Sequence, residues 1–127
     1  MTRQAITATG APAPVGPYSH AIVAGDLVFC SGMIGLDPAT GELVEGGVAA
    51  QAERALRNLA AVLDAAGSSF GDVARCQVFL ARIGDFAAVN DVYGRFMADP
   101  PPARSTFAVA ALPKGALVEI EAIARRA

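Results

Sequence analysis

The run Val118-Glu119-Ile120-Glu121-Ala122-Ile123-Ala124 near the C-terminus limits the fold more than any other stretch of the chain. Read as a strand, its side chains alternate between two faces. Val118, Ile120, Ala122 and Ala124 form one wholly apolar face, and Leu117, Glu119, Glu121 and Ile123 form the other. The apolar face belongs under helices. The opposite face carries two carboxylates, with Cβ atoms roughly 6.5–7 Å apart, set among apolar neighbours. A single layer of helices cannot cover both faces of a sheet. The second face is therefore expected to pack against further copies of the chain, with carboxylates lining the joint.

The preceding sequence supplies the helices. From Val48 to Ala66 the apolar period is near 3.6, with Val48, Ala52, Ala55, Leu56, Leu59, Val62, Leu63 and Ala66 on one stripe. Gln51, Glu53, Arg54, Arg57, Asn58 and Asp64 fall largely outside that stripe, and Gly67 suits a left-handed cap. A second helix is expected after Asp85, whose carboxylate suits an N-cap, with Phe86, Val89, Asn90, Tyr93 and Met97 on one face. Asp99 and three prolines stop it.

Strands are expected at Ala5 to Ala8, Ala21 to Val23, Leu27 to Cys30, Val73 to Ile83, Ser105 to Leu112 and Leu117 to Ala124. Gly25-Asp26, Asp37 to Gly41 and Pro113-Lys114-Gly115 read as turns, and residues 10–17 as a proline- and glycine-broken loop. The order predicts an α+β fold in a single domain, 1–127, with both helices on one face of the sheet.

A chain of 127 residues, 54% hydrophobic and 17% charged, can bury one core without disulfide or metal. Cys30 and Cys76 form no CxxC pair, and both read as buried free thiols. With one histidine, a His-rich metal site is excluded; His20 itself reads as a hydrogen-bonded structural residue. The net charge of −2, with Arg125-Arg126 as the one basic pair, argues against nucleic acid, whose binding needs clustered cations. No apolar signal core follows Met1 and no 18-residue apolar span occurs, so a cytoplasmic location is expected.

Arg104 follows three prolines and enters a strand, a stiff mount for a planar guanidinium. Such a group suits bidentate capture of a carboxylate. An ion pair with Glu119 or Glu121 is the alternative.

Gly16-Pro17-Tyr18-Ser19, Cys30-Ser31-Gly32, Pro102-Ala103-Arg104-Ser105 and the C-terminal run quoted above together resemble the RidA (YjgF-type) family along essentially the whole chain. The resemblance implies a chorismate-mutase-like sheet with two helices on one face. It also implies a homotrimer with a barrel-like sheet core and clefts between subunits. The implied activity is hydrolysis of 2-imino acids, such as 2-iminobutanoate and 2-iminopropanoate, to 2-keto acids and ammonia, without metal or organic cofactor. Arg104 would clamp the substrate carboxylate and Glu121 would hold the attacking water, with Tyr18 and Ser31 supplying hydroxyls. Gly32 would leave room for ligand, and Asn90 and Thr106 would complete the binding set. The family's best-known deaminases carry cysteine where this chain has Thr106, which serves equally if the backbone amide is what matters. Two other roles remain open on the same scaffold: a non-catalytic carboxylic-acid-binding, regulatory or chaperone module, and an RNA-cleaving translation inhibitor.

Overall fold

The computed structural model describes residues 2–127. Strands β1 (Arg3–Ile6), β2 (Ala21–Ala24) and β3 (Leu27–Ile34) precede helix α1 (Gly47–Ala65). Then come β4 (Val73–Leu80), α2 (Phe86–Phe96), β5 (Ala103–Ala108) and β6 (Val118–Arg125). The described residues form a six-stranded sheet ordered β1-β2-β3-β6-β4-β5, antiparallel except for the β4–β5 pair. Two strands lie on either side of the β3–β6 pair, so β6 is central. Its Val118, Ile120, Ala122 and Ala124 are buried, while Glu119, Glu121 and Ile123 are half-buried on the opposite face.

Helix α1 crosses β3 and β6, and α2 packs beside it. Leu56, Leu59, Val62 and Leu63 are fully buried between the layers, each large side chain contributing about 1.5–3 kcal/mol. The helix ends as its sequence dictates. Gly67 takes φ 77°, its N–H donates to the Asp64 carbonyl, and the Ser68 N–H donates to that of Leu63. Cys30 and Cys76 flank Ala122 in the strand register, two strand spacings or about 10 Å apart, too far to bridge. Burial pushes the Cys30 thiol up to about 12 and raises Cys76 as well, so both stay protonated.

Several sequence expectations shift. The first strand lies two residues earlier than 5–8, because Ala8 is already turned toward His20. β3 runs on to Ile34, β4 stops at Leu80, and β5 spans Ala103–Ala108 in place of 105–112. Asp85 does precede α2, but its side chain caps nothing: a single 3₁₀ turn runs straight into the helix. That turn leaves Asp85 at φ −85° and ψ 0°, outside the extended geometry that aims a carboxylate at the first amides. The buried stripe of α2 is Val89, Val92 and Tyr93, while Phe86 and Asn90 lie exposed on its flank.

Two residues expected off the α1 core stripe are also buried. Asn58, fully buried, donates from Nδ2 to the carbonyls of Ile34 and Leu36 at 3.1 and 2.9 Å. Gln51 accepts from the Leu117 N–H through Oε1 at 2.8 Å. Buried backbone groups need partners. These amides tether the ends of β3 and β6 to the helix, so the loops around the site are held by side chains and not by sheet. Asn58→Ala is expected to cost about 2 kcal/mol, seen as a lowered urea midpoint with an unchanged slope. An unshifted midpoint would show that the tether carries no load.

Candidate active site

A β-bulge starts the site. Between Cys30 and Met33 the β3 strand takes one residue more than β6, so Ser31 and Gly32 leave the regular ladder. Ser31 turns its hydroxyl to the Ser19 carbonyl at 2.6 Å, and its N–H donates to the His20 carbonyl at 2.9 Å. The loop that carries Tyr18 is fixed by His20. The Ala8 N–H donates to Nδ1 at 2.9 Å, and Nε2 lies 2.7 Å from the Pro12 carbonyl, which requires the proton to be on Nε2. His20 is thus a satisfied structural histidine, as its sequence setting implied.

Tyr18, Ser31, Gly32 and Glu119 share one cavity of about 290 Å³, otherwise lined mainly by apolar residues such as Val15, Met33, Ile34, Leu36 and Pro113. The hydroxyls enter it in complementary states. Tyr18 accepts the Val15 N–H at 3.2 Å and keeps its own proton to donate. Ser31 has spent its proton on Ser19 and keeps lone pairs to accept.

The carboxylate lining this cavity is Glu119, and Glu121, expected here, is not among its lining residues. Ile34 on β3 pairs with Glu119, whereas Glu121 lies two residues further along β6, opposite Gln77. Glu121 lines a separate, smaller depression with Arg75 and Gln77. A Cβ on Gly32 would come within 2.8 Å of the Glu119 carboxylate, so the glycine leaves space for that side chain. Burial holds the Glu119 carboxyl above the usual range, and the like charge of Glu121 raises it further. The alternation pattern placed both glutamates on one face but could not choose between them; the bulge that decides has no sequence signature beyond Ser31-Gly32.

Arg104 is not at this cleft. The β4–β5 register sets Arg104 across from Cys76 and Thr106 across from Val78, all on the helix-covered face. Glu119 and Glu121 occupy the opposite face, beside Phe79 and Gln77. An ion pair between Arg104 and either glutamate is thereby excluded within one chain. The guanidinium lies 4.8 Å from the Tyr93 ring centroid and 5.5 Å from that of Phe86. Asn90 sits one turn after Phe86 on the exposed flank of α2, on the Arg104 side of the molecule and not with Tyr18. The Thr106 hydroxyl is closed off from solvent and has no hydrogen-bond partner, which leaves its backbone as what it can offer a ligand.

The face carrying the glutamates also exposes Phe29 and Phe107, 41% and 44% accessible, with half-buried Ile123 and Phe79 beside them. Arg125 and Arg126 are solvent-exposed. Among the described residues no group of three or more His, Cys, Asp or Glu side chains is placed to hold a metal ion, and no helix is long and apolar enough to cross a membrane.

Comparison with known proteins agrees with this architecture. Residues 8–126 match the family model described as endoribonuclease L-PSP. A protein named DfrA from Myxococcus xanthus is 56% identical over 98% of this chain and 96% of its own length. The 2-iminobutanoate/2-iminopropanoate deaminase of Capra hircus is 49% identical over 98% of this chain and 90% of its own. The crystal structure of RidA from an Antarctic Psychrobacter superposes with a TM-score of 0.93 at 47% identity, covering 96% of this chain and 98% of that one. A full-length match in sequence and fold, together with the bulged β3 and the carboxylate-bearing β6, establishes that the chain belongs to the RidA (YjgF/L-PSP) family.

Proposed function

We propose that the chain is a hydrolytic deaminase that converts reactive 2-imino acids, 2-iminobutanoate and 2-iminopropanoate among them, to 2-keto acids and ammonia. The observation that carries this reading is the convergence of Glu119, Ser31 and Tyr18 on one apolar cleft, in a chain whose relatives include named imine deaminases. An iminium carbon is already electrophilic, so the site must position water and move protons more than create a strong nucleophile. Glu119 takes a proton from water as its oxygen bonds to the C=N carbon. Ser31 accepts from the iminium N–H, and Tyr18 donates to the substrate's polar end. The proton held by Glu119 then passes to the nitrogen. As the C–N bond breaks and the C=O double bond forms, the carbinol hydroxyl gives its proton back to the Glu119 carboxylate. Ammonia leaves the 2-keto acid behind, and that last proton passes to the departing ammonia as ammonium.

Arg104 supplies the remaining need, a cation for the substrate carboxylate. It lies on the far face of its own sheet, so the guanidinium that serves a given cleft comes from a neighbouring copy. The apolar open face gives a physical reason for assembly: Phe29, Phe79, Phe107 and Ile123 lose water there. A homotrimer closes such faces around a barrel-like core and yields one cleft per joint. Asn90, and Thr106 through its backbone, belong to the Arg104 half of the cleft. Gly32 belongs to the Glu119 half, where it makes room for the carboxylate. Glu121, with Arg75 and Gln77, contributes polar contacts to the joint. A cytoplasmic setting suits Cys30 and Cys76, which remain thiols in a reducing compartment. The carboxylates on this face repel phosphate, which sets the RNA-cleaving role against the electrostatics of the site.

The test generates imines with an amino-acid oxidase in the presence of semicarbazide. Wild type is expected to suppress semicarbazone formation, and Glu119→Gln and Arg104→Ala are each expected to lower that activity by about 10²-fold or more. Glu121→Gln should keep most of it. Loss in Glu121→Gln with activity kept in Glu119→Gln would return the water-holding role to Glu121. Binding of 2-keto acids without any turnover by wild type would mark a non-catalytic binding module.

The pH profile is a second check. Because the Glu119 carboxyl is raised and must be ionised to take a proton, kcat/KM should fall with acidification at a pH above the usual carboxylate range. Removing the neighbouring charge with Glu121→Gln should move that acid limb to lower pH. A limb that stays in place would show that the two carboxylates are not coupled.

A further inference from the structure

An arginine on an edge strand ordinarily keeps its rotamer freedom, and fixing it on a ligand costs entropy. Arg104 is held differently. Among the described residues no carboxylate lies within ion-pair distance of it, and no side-chain hydrogen bond engages it. Its neighbours are two rings: the guanidinium carbon lies 4.8 Å from the Tyr93 centroid and 5.5 Å from that of Phe86. Phe86 and Tyr93 are seven residues apart on α2, a rise of about 10.5 Å over two turns. Both rings therefore lie within cation–π range of the one guanidinium. Ring faces attract a cation through their quadrupole and use up none of its N–H donors.

The seat is itself anchored. Tyr93 is buried beside Cys76 on β4, the residue directly across from Arg104 in the β4–β5 register, and its hydroxyl makes no hydrogen bond among the described residues. Burial and that thiol raise the Tyr93 phenol, which keeps it neutral and its ring in place. Phe86 meets the guanidinium from the exposed flank of α2.

We infer that Phe86 and Tyr93 form an aromatic seat that fixes the Arg104 guanidinium with its N–H donors free, making both positioning residues for capture of the substrate carboxylate. The inference rests on the reading of Arg104 as the carboxylate clamp. Their contribution falls on binding and not on the attack of water, which belongs to the opposite half of the cleft. Variants should therefore raise KM and leave kcat close to wild type.

Titration calorimetry with 2-oxobutanoate, alongside steady-state turnover, tests it on the assembled protein. Arg104→Ala should weaken binding by about thirtyfold or more, the loss expected when a hydrogen-bonded charged group is removed. Tyr93→Leu should weaken it by about tenfold and Phe86→Leu by about threefold, while Tyr93→Phe, which keeps the ring, should stay within about twofold of wild type. Phe86 is partly exposed, so its variant is expected to melt with wild type and to report on binding alone. Weakening in Arg104→Ala with none in Tyr93→Leu or Phe86→Leu overturns the seat and leaves the clamp standing. No weakening in Arg104→Ala overturns the clamp and the seat with it. Equal losses in Tyr93→Phe and Tyr93→Leu show that the hydroxyl and not the ring is what matters, and also overturn the seat.

Discussion

β6 runs through the middle of the sheet with two faces of opposite character, and each must be covered in a different way. Val118, Ile120, Ala122 and Ala124 are sealed under α1 and its neighbours, where Leu56, Leu59 and Leu63 are fully buried. Glu119, Glu121 and Ile123 face away from the helices beside Phe79, Phe29 and Gln77. A carboxylate half-removed from water is costly unless it is used or paired. The fold therefore places a raised carboxyl next to exposed apolar surface, and the proposed chemistry and the proposed association share one strand face.

The proposed division of the site follows from strand parity. Arg104 faces the helices because it pairs with Cys76, and Cys76 pairs with Ala122 on the buried side of β6. Glu119 faces the other way. Parity alternates residue by residue, so no side-chain rotation brings the two groups to one small molecule within a chain. Separate layers of support hold each half: the bulge, His20 and Gly32 on one side, α2 with its two rings on the other. Each half is held by contacts within its own chain, which lowers the cost of aligning water, imine and carboxylate.

Much of this was legible in the residues. The period of α1, its glycine stop, the alternation of β6 and the lone hydrogen-bonded histidine follow from local rules, and local rules decide those features. The α+β order was readable for the same reason. What escaped depends on register between distant strands. Which glutamate enters the cleft is set by one extra residue in β3, and the face chosen by Arg104 is set by its pairing with Cys76. Asn58 and Gln51 read as surface residues because polarity marks exposure on average, yet each satisfies loop backbone that no strand partner reaches. Asp85 read as a cap because the 3₁₀ turn ahead of α2 has no distinctive composition.

The central claim is that one working cleft draws Arg104 from one copy and Glu119 from the next. Subunit mixing tests it most directly. Arg104→Ala and Glu119→Gln chains, each inactive alone, are unfolded together in equal amounts and refolded into mixed assemblies. A shared cleft predicts recovery of about a quarter of the wild-type imine-hydrolysis rate, since about one joint in four then pairs a sound arginine with a sound glutamate. A mixture that exchanges subunits and yet stays as inactive as its parents would contradict the account, because it would require both residues to act within a single chain.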